Sequence, residues 1–271
     1  MCDLDEIEKE LKSESDELRL RIVREIGQRF AVALLTKSGT GENMTLTLAG
    51  SGTLVMVGKS YYILTAAHVW EFLKKADAIG ITITEDMDHA FFMDARTIAA
   101  TVEIKADKWN EWGPDLAFLK IPAEYLGTIQ AYKGFYSPDV DGRLVDLPKE
   151  VVEARLLLGV PAELGTYTRT HADFRIDGCY LDPTPKAVVK NEHDFVDLIV
   201  ALKDETAPKS YGGMSGGGLW KILVHCSPSN DKVVWSQRLA GVAFYELTDD
   251  EGNRVIRCHA SQSIENAFPT S

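Results

Sequence analysis

A serine within a glycine-rich segment is the feature of this sequence that points most directly to chemistry. Ser215 lies in the segment 211–219, which reads YGGMSGGGL. Glycine adopts backbone angles that other residues rarely adopt and allows a second backbone to approach closely. A serine nucleophile needs both properties, because its own N–H and that of Gly213 must point at one spot that a substrate carbonyl can reach. Taken alone, the segment is equally typical of a turn or a linker.

A histidine and an aspartate upstream have contexts that suit the same chemistry. His68 ends the motif Thr-Ala-Ala-His after two apolar segments, and Asp115 begins the apolar segment DLAFL. Serine is a weak nucleophile until a neutral imidazole accepts its proton, and a carboxylate beside the imidazole holds the required tautomer. His68 is the candidate base and Asp115 the candidate orienting group. Singly, His68 is also explained as a buried histidine after a strand, and Asp115 as a turn residue after Pro114.

The order His68, Asp115, Ser215, with the local motifs TAAH, DLA and G-x-SGG, resembles that of the chymotrypsin- and trypsin-like (PA clan) serine peptidases. The resemblance extends over roughly residues 28–268. It implies a serine endopeptidase that hydrolyses peptide bonds through an acyl-enzyme on Ser215, with His68 as general base and acid. It also implies an oxyanion hole formed by the Gly213 and Ser215 amides, and no metal or organic cofactor.

The same resemblance implies an all-β fold of two six-stranded antiparallel Greek-key barrels, with an N-terminal amphipathic helix and a short C-terminal helix. Residues 1–28 form the helical extension and residues 29–125 the first barrel, which carries His68 and Asp115. Residues 126–150 connect the barrels. Residues 151–271 form the second barrel, with Ser215 and the C-terminal helix.

The N-terminal segment combines many charges with apolar residues at helical spacing, which predicts an amphipathic helix over 3–28 with a break near 13–15. Two interpretations of its apolar face remain open. In the first, the face packs on the first barrel. In the second, it docks a protein partner or a second copy of the chain.

Composition limits the classes of partner. The chain has 29 Lys and Arg against 41 Asp and Glu, a formal net charge of −12. Such a charge disfavours nucleic acid and anionic membrane surfaces as partners, since both repel an acidic protein. No apolar stretch of about 18 residues occurs, so no membrane-spanning helix is expected. A polypeptide substrate is the partner that the sequence favours.

The cysteines and the start of the chain predict a cytoplasmic location. The four cysteines lie far apart, without zinc-type spacing, and are expected to be free thiols in a reducing compartment: Cys2, Cys179, Cys226 and Cys258. The first residues are acidic and lack the basic region of a signal peptide. Among the peptidases that the chain resembles, these features favour an intracellular, bacterial-type branch without a PDZ domain.

The residue before the nucleophile departs from the trypsin-like pattern. Secreted trypsin-like enzymes have an aspartate there, which pairs with a newly cut N-terminus and completes the oxyanion hole. Met214 occupies the position here and cannot form an ion pair. The protein is therefore not expected to be a zymogen that N-terminal cleavage activates.

The resemblance also assigns the pocket for the substrate side chain before the scissile bond (P1). Lys209 and Arg254 would make this pocket basic and favour an acidic P1 residue, although Glu246 lies nearby and Lys209 is equally well explained as a solvated loop residue. The residues expected to bind substrate are Lys209, Ala243, Phe244, Tyr245 and Arg254.

Two other functions are compatible with the motifs. A catalytically latent or silent module with this fold would bind a protein partner through the N-terminal helix or the substrate groove. An esterase would use the same three residues on a different substrate. Reactivity of Ser215 towards an acylating probe separates the silent module from an enzyme.

Overall fold

The structure is a computed structural model. It describes residues 5, 7–8, 17–83, 89–106, 111–138, 140, 150–167, 172–173, 177–181, 186–190, 192–200, 210–227 and 232–269. Lys209 and the expected helix break at 13–15 lie outside these residues.

The N-terminal half forms one antiparallel sheet behind a helix, α1 (Glu17–Phe30). Two further helices are α2 (Ala67–Leu73), after the third strand, and α3 (Ala123–Gln130), after the seventh. The strands are β1 (Ala31–Ser38), β2 (Thr45–Val57), β3 (Ser60–Thr65), β4 (Ala78–Thr82), β5 (Ala90–Asp94), β6 (Ala99–Lys105) and β7 (Asp115–Lys120). Their order in the sheet is β5-β4-β1-β2-β3-β7-β6.

The C-terminal half forms the second antiparallel sheet and ends in helix α4 (Ser261–Asn266). Its strands are β8 (Val152–Gly159), β11 (Asp177–Leu181), β12 (Lys186–Lys190), β13 (His193–Ile199), β14 (Gly218–Cys226), β15 (Val233–Thr248) and β16 (Arg254–Ala260). Their order is β11-β8-β14-β15-β16-β13-β12. A separate two-stranded sheet pairs β9 (Thr166–Tyr167) with β10 (Ala172–Asp173).

The mostly β architecture of two antiparallel sheets was expected, but the closed six-stranded barrels were not found. Each sheet has seven strands, and within the described ranges no ladder joins the two outer strands of either sheet. The outer strand β12 reads KAVVK and exposes residues on both faces, with Val189 77% exposed. A short strand with a lysine at each end is typical of a sheet edge that is kept from further pairing.

Helix α1 packs its apolar face against both sheets. Leu18, Ile22, Ile26 and Phe30 recur every fourth residue and are all buried, as the helical period requires of one face. They share a core cluster with residues of sheet one and with Trp220 of β14 in sheet two. The face of the described helix is therefore covered by the chain itself, and by more than the first sheet alone.

The cysteines depart from expectation at one position. Cys226, at the end of β14, is disulfide-bonded, so the expectation of four free thiols is wrong. Cys258 is free and fully buried in β16, and burial raises the pKa of its thiol above the ordinary range. Spacing along a sequence does not reveal which cysteines meet in space. The prediction of a cytoplasmic location therefore loses part of its basis.

No helix among the described residues is both long enough and apolar enough to cross a membrane. Within the same residues, no group of three or more His, Cys, Asp or Glu side chains is placed so that it could hold a metal ion.

The packing between the sheets predicts a large loss of stability on truncation of Phe30. Its ring stacks on Trp220, with centroids 5.4 Å apart, and meets Tyr136 edge-on at 6.0 Å. Phe30→Ala should lower the free energy of unfolding by about 3–5 kcal/mol in urea denaturation, because it leaves a cavity at this junction. Phe72→Ala is the control: Phe72 is 45% exposed, so the loss should stay below about 1 kcal/mol. Equal losses would contradict the prediction.

Candidate active site

His68 and Asp115 are brought together by two neighbouring strands. His68 lies in the first turn of α2, directly after β3, and Asp115 is the first residue of β7, which pairs with β3. The His68 backbone N–H donates to Asp115 Oδ1 at 2.8 Å, and Nδ1 lies 2.5 Å from Asp115 Oδ2. A buried carboxylate in this position assigns the proton to Nδ1 and leaves Nε2 as the imidazole's acceptor.

The aspartate is held from the opposite sheet by a histidine that the sequence analysis missed. The Asp115 backbone N–H donates to Nε2 of His259 on β16 at 2.9 Å. Because Nε2 accepts this bond, His259 is neutral and carries its proton on Nδ1. Burial, with a contribution from His193, lowers the pKa of His259 to about 4. The hydrogen bond therefore persists at neutral pH.

Arg257, two residues earlier on β16, holds the segment that precedes Asp115. Arg257 is 3% exposed, and its guanidinium forms two 2.7 Å bonds to the Asp197 carboxylate. A further N–H donates to the Glu111 carbonyl at 2.8 Å, and the group lies 3.7 Å from the centre of the Trp112 ring. One signal in the sequence could have revealed both residues. Arg257 and His259 alternate within an otherwise apolar strand, and buried polar side chains need hydrogen-bond partners.

Hydrogen bonds fix the backbone around Ser215. The Gly212 carbonyl accepts the Ala162 N–H at 2.7 Å, and the Met214 carbonyl accepts the Gly217 N–H at 2.8 Å. In a trans peptide the N–H points away from the carbonyl, so the N–H groups of Gly213 and Ser215 point away from these contacts. Neither N–H meets an acceptor among the described residues.

Glycine is required at residue 213 for two reasons. Its φ is +91°, and a Cβ there would lie 2.7 Å from the Val160 carbonyl oxygen. Any side chain would therefore strain the backbone and collide with the neighbouring strand end. The chain can adopt this arrangement of donors only with glycine at 213.

Ser215 and His68 line one cavity of about 220 Å³. Their side chains thus face a common space, in which a substrate could meet both. The other residues of the lining are Leu157, Ser210, Tyr211, Gly212, Met214, Ala243, Phe244, Tyr245, Glu246 and Ile256. Catalytic hydrogen bonds are often long in unliganded sites and shorten when substrate binds.

The expected substrate-binding residues lie in different places. Ala243, Phe244 and Tyr245 line the cavity, whereas Arg254 does not belong to the described lining. Arg254 Nε lies 3.2 Å from Glu246 Oε1, and Glu246 Oε2 accepts the Tyr211 N–H at 3.0 Å. Glu246 therefore brings a carboxylate to the cavity lining, and each of its two oxygens has a partner.

Comparison with known proteins finds no matching family model and no matching curated protein. Similar solved structures include two of tobacco etch virus protease. A mutant of that protease has a TM-score of 0.37 and 10% identity, over 89% of this chain and 78% of that chain. A catalytically active form complexed with product has a TM-score of 0.36 and 10% identity, over 89% and 77%.

A third similar structure concerns the intrinsically disordered VPg protein of Sesbania mosaic virus, whose coupled folding and binding is described as driven by aromatic interactions. Its TM-score is 0.41 and its identity 12%, over 88% of each chain. Likeness at this level assigns no function by itself. An intracellular, bacterial-type branch stays a prediction that these neighbours do not test.

Neutral His259 predicts a pH dependence of stability. Its folded-state pKa of about 4 lies below the ordinary value of 6.5, so the unfolded chain binds more protons between these values. Stability should therefore be complete above about pH 6.5 and decline towards pH 4, by about 3 kcal/mol for this group.

Urea denaturation at stepped pH measures this change, with His259→Gln as the matched variant. The Gln side-chain oxygen can still accept the Asp115 N–H but does not titrate. His193, Asp194 and Asp115, which influence His259, are present in both proteins. The slope between pH 4 and 6.5 should be smaller in the variant, and identical slopes would refute the assignment.

Proposed function

We propose that the protein is a serine endopeptidase with Ser215 as nucleophile, His68 as general base and acid, and Asp115 as the residue that orients His68. The observation that carries the proposal is a shared cavity. It joins Ser215 to a histidine already hydrogen-bonded to a buried carboxylate, beside two backbone donors without acceptors in the described structure.

In the proposed reaction, Ser215 Oγ bonds to the scissile carbonyl carbon while His68 Nε2 takes the hydroxyl proton. The carbonyl oxygen becomes an oxyanion and accepts hydrogen bonds from the N–H groups of Gly213 and Ser215. His68 then gives its proton to the amine as the C–N bond breaks. A water then bonds to the acyl carbon and gives a proton to His68. The ester C–O bond breaks, the acid product leaves, and His68 returns the proton to Ser215 Oγ.

The proposed substrate is a polypeptide that runs beside residues 243–245 of β15. Backbone bonds from the nucleophile loop, which is the segment 210–217 before β14, hold this strand. The Gly216 N–H donates to the Ala243 carbonyl at 2.8 Å, and the Ala243 N–H donates to the Gly217 carbonyl at 3.0 Å. The register of the pairing between β15 and β16 shifts between Ala243 and Tyr245. An extended peptide that pairs with such a strand would place its side chains alternately towards the cavity.

A silent module that binds a protein partner is the second candidate. The observation in its favour is the cavity itself, which would receive a segment of a partner whether or not Ser215 reacts. Such a module would keep the cavity and the backbone arrangement but would not acylate. Reactivity of Ser215 separates the two candidates.

The first prediction concerns Ser215 itself. A fluorophosphonate probe should add once to the wild-type protein, because an activated serine displaces fluoride from phosphorus. Intact mass spectrometry should detect no adduct on Ser215→Ala. Ser236→Ala, on β15 and outside the cavity lining, is the control and should react like the wild type. A folded wild-type protein that does not react would favour the silent module.

The second prediction concerns the P1 side chain. Apolar side chains form much of the described cavity lining, including Leu157, Met214 and Ile256, and Glu246 adds a carboxylate. We therefore propose uncharged apolar P1 residues, in place of the acidic ones that Lys209 and Arg254 suggested. Glu246 is paired with Arg254, and this pairing weakens the attraction that Arg254 could exert on an acidic P1 residue.

A peptide library resolved by mass spectrometry measures this preference. Glu246→Gln should raise relative cleavage after Asp and Glu by about three- to tenfold, since it removes a partly exposed negative charge from the cavity lining. Glu124→Gln, an exposed change in the first turn of α3, should leave the profile unchanged. Preferential cleavage after acidic residues by the wild type would contradict the proposal.

A further inference from the structure

Ser51 connects the nucleophile loop to both sheets through its side chain. It lies in β2 and is 1% exposed. Its hydroxyl donates to the Gly213 carbonyl at 2.7 Å and accepts the Val160 N–H, which follows β8, at 2.8 Å. One oxygen atom of sheet one thus bonds both to the nucleophile loop and to the end of a strand of sheet two.

The backbone of Ser51 holds the same loop at a second point. Its N–H donates to the Ser215 carbonyl at 2.8 Å, and its carbonyl accepts the Thr65 hydroxyl at 2.7 Å. A Cβ on Gly216 would lie 2.1 Å from the Ser51 carbonyl oxygen. Ser51 is therefore closely packed against the loop, and its own position is fixed by a neighbouring strand.

The bond from the Ser51 hydroxyl acts on a part of the loop that can rotate easily, at Gly213. Gly213 has a positive φ and no side chain, so its backbone can adopt other conformations at low cost. The Gly213 carbonyl belongs to the Gly213–Met214 peptide, which lies between the two donor N–H groups of Gly213 and Ser215. Rotation of this peptide would change the direction of the two N–H groups relative to each other. Met214 is buried among apolar side chains and forms no ion pair that would oppose the rotation.

We infer that Ser51 is a positioning residue that locks the oxyanion-binding conformation of the nucleophile loop through its hydroxyl. The inference rests on the proposed peptidase function. Ser51 does not touch the substrate. It acts by holding the Gly213–Met214 peptide, which lies between the Gly213 and Ser215 N–H groups, so that both stay directed towards the site.

The test must separate this role from a general loss of stability. Ser51→Ala leaves the Val160 N–H and the Gly213 carbonyl without their partner, and an unpaired buried group destabilises any protein. Thr82→Val is the matched control, because Thr82 is fully buried and its hydroxyl accepts the Ala33 N–H at 2.9 Å within sheet one. Both variants remove one buried hydroxyl acceptor of a backbone N–H, and only one of them affects the loop.

The measured quantity is the second-order rate constant for reaction with the fluorophosphonate probe, followed by intact mass, together with the melting temperature. In this reaction the Ser215 Oγ–P bond forms, the P–F bond breaks, fluoride leaves and His68 takes the proton. The phosphonyl oxygen occupies the oxyanion hole. Ser51→Ala should react about ten- to a hundredfold more slowly than the wild type, which is less than the roughly 10²–10³-fold cost of losing an oxyanion donor, because the donor N–H groups themselves are kept.

Thr82→Val should also lose melting temperature, by less than Ser51→Ala because it leaves one backbone group unpaired and not two, and it should react at the wild-type rate. A wild-type rate for Ser51→Ala would overturn the inference, as would equal slowing in both variants. If Ser51→Ala does not fold, Ser51→Cys takes its place. Its thiol is a weaker donor than the hydroxyl, so its rate of reaction with the probe should lie between the wild-type rate and the rate expected for Ser51→Ala. A wild-type rate for Ser51→Cys would then overturn the inference.

Failure of the proposed function gives a different result. In that case the wild-type protein itself does not react, or an adduct persists on Ser215→Ala. The inference about Ser51 fails only when the wild type reacts at Ser215 and the Ser51 variants show no slowing beyond that of Thr82→Val.

Discussion

The contact between the two sheets is the constraint on which the candidate site depends. His68 lies on the helix after β3 and Asp115 begins β7 of the first sheet, whereas Ser215 lies just before β14 of the second. Their separation is therefore set by how the sheets pack. Several polar contacts cross the junction near the site, among them Asp115 N–H to His259, Arg257 to the Glu111 carbonyl, and Ser51 to the nucleophile loop. The buried stack of Phe30 on Trp220 provides the apolar part of the same junction.

Two residues of β16 hold the segment around Asp115, one as a neutral group and one as a paired charge. His259 contributes an acceptor without charge, because burial keeps it unprotonated at neutral pH. Arg257 is the charged exception, and the Asp197 carboxylate and an adjacent aromatic ring compensate it fully. A buried cation without such partners would be costly. Both residues restrain the loop that carries Asp115 and lie outside the described cavity lining.

Local motifs carried much of the functional interpretation. A strand end before His68, an apolar strand after Asp115 and glycines around Ser215 are visible in the sequence because each depends on a few adjacent residues. The seven-stranded sheets and the bonded state of Cys226 were not predicted. Strand pairing and cysteine pairing depend on distant segments, and a single sequence contains no direct record of them.

The sequence by itself determined the chemistry that is available: a serine among glycines, a histidine after a strand and an aspartate that opens one. Tertiary structure alone decided how these groups are held. Ser51 lies 162 residues from Gly213 and His259 lies 144 residues from Asp115, so no local pattern indicates either contact. Each hydrogen bond forms because the packing of two sheets removes water from a donor and an acceptor that must then satisfy each other.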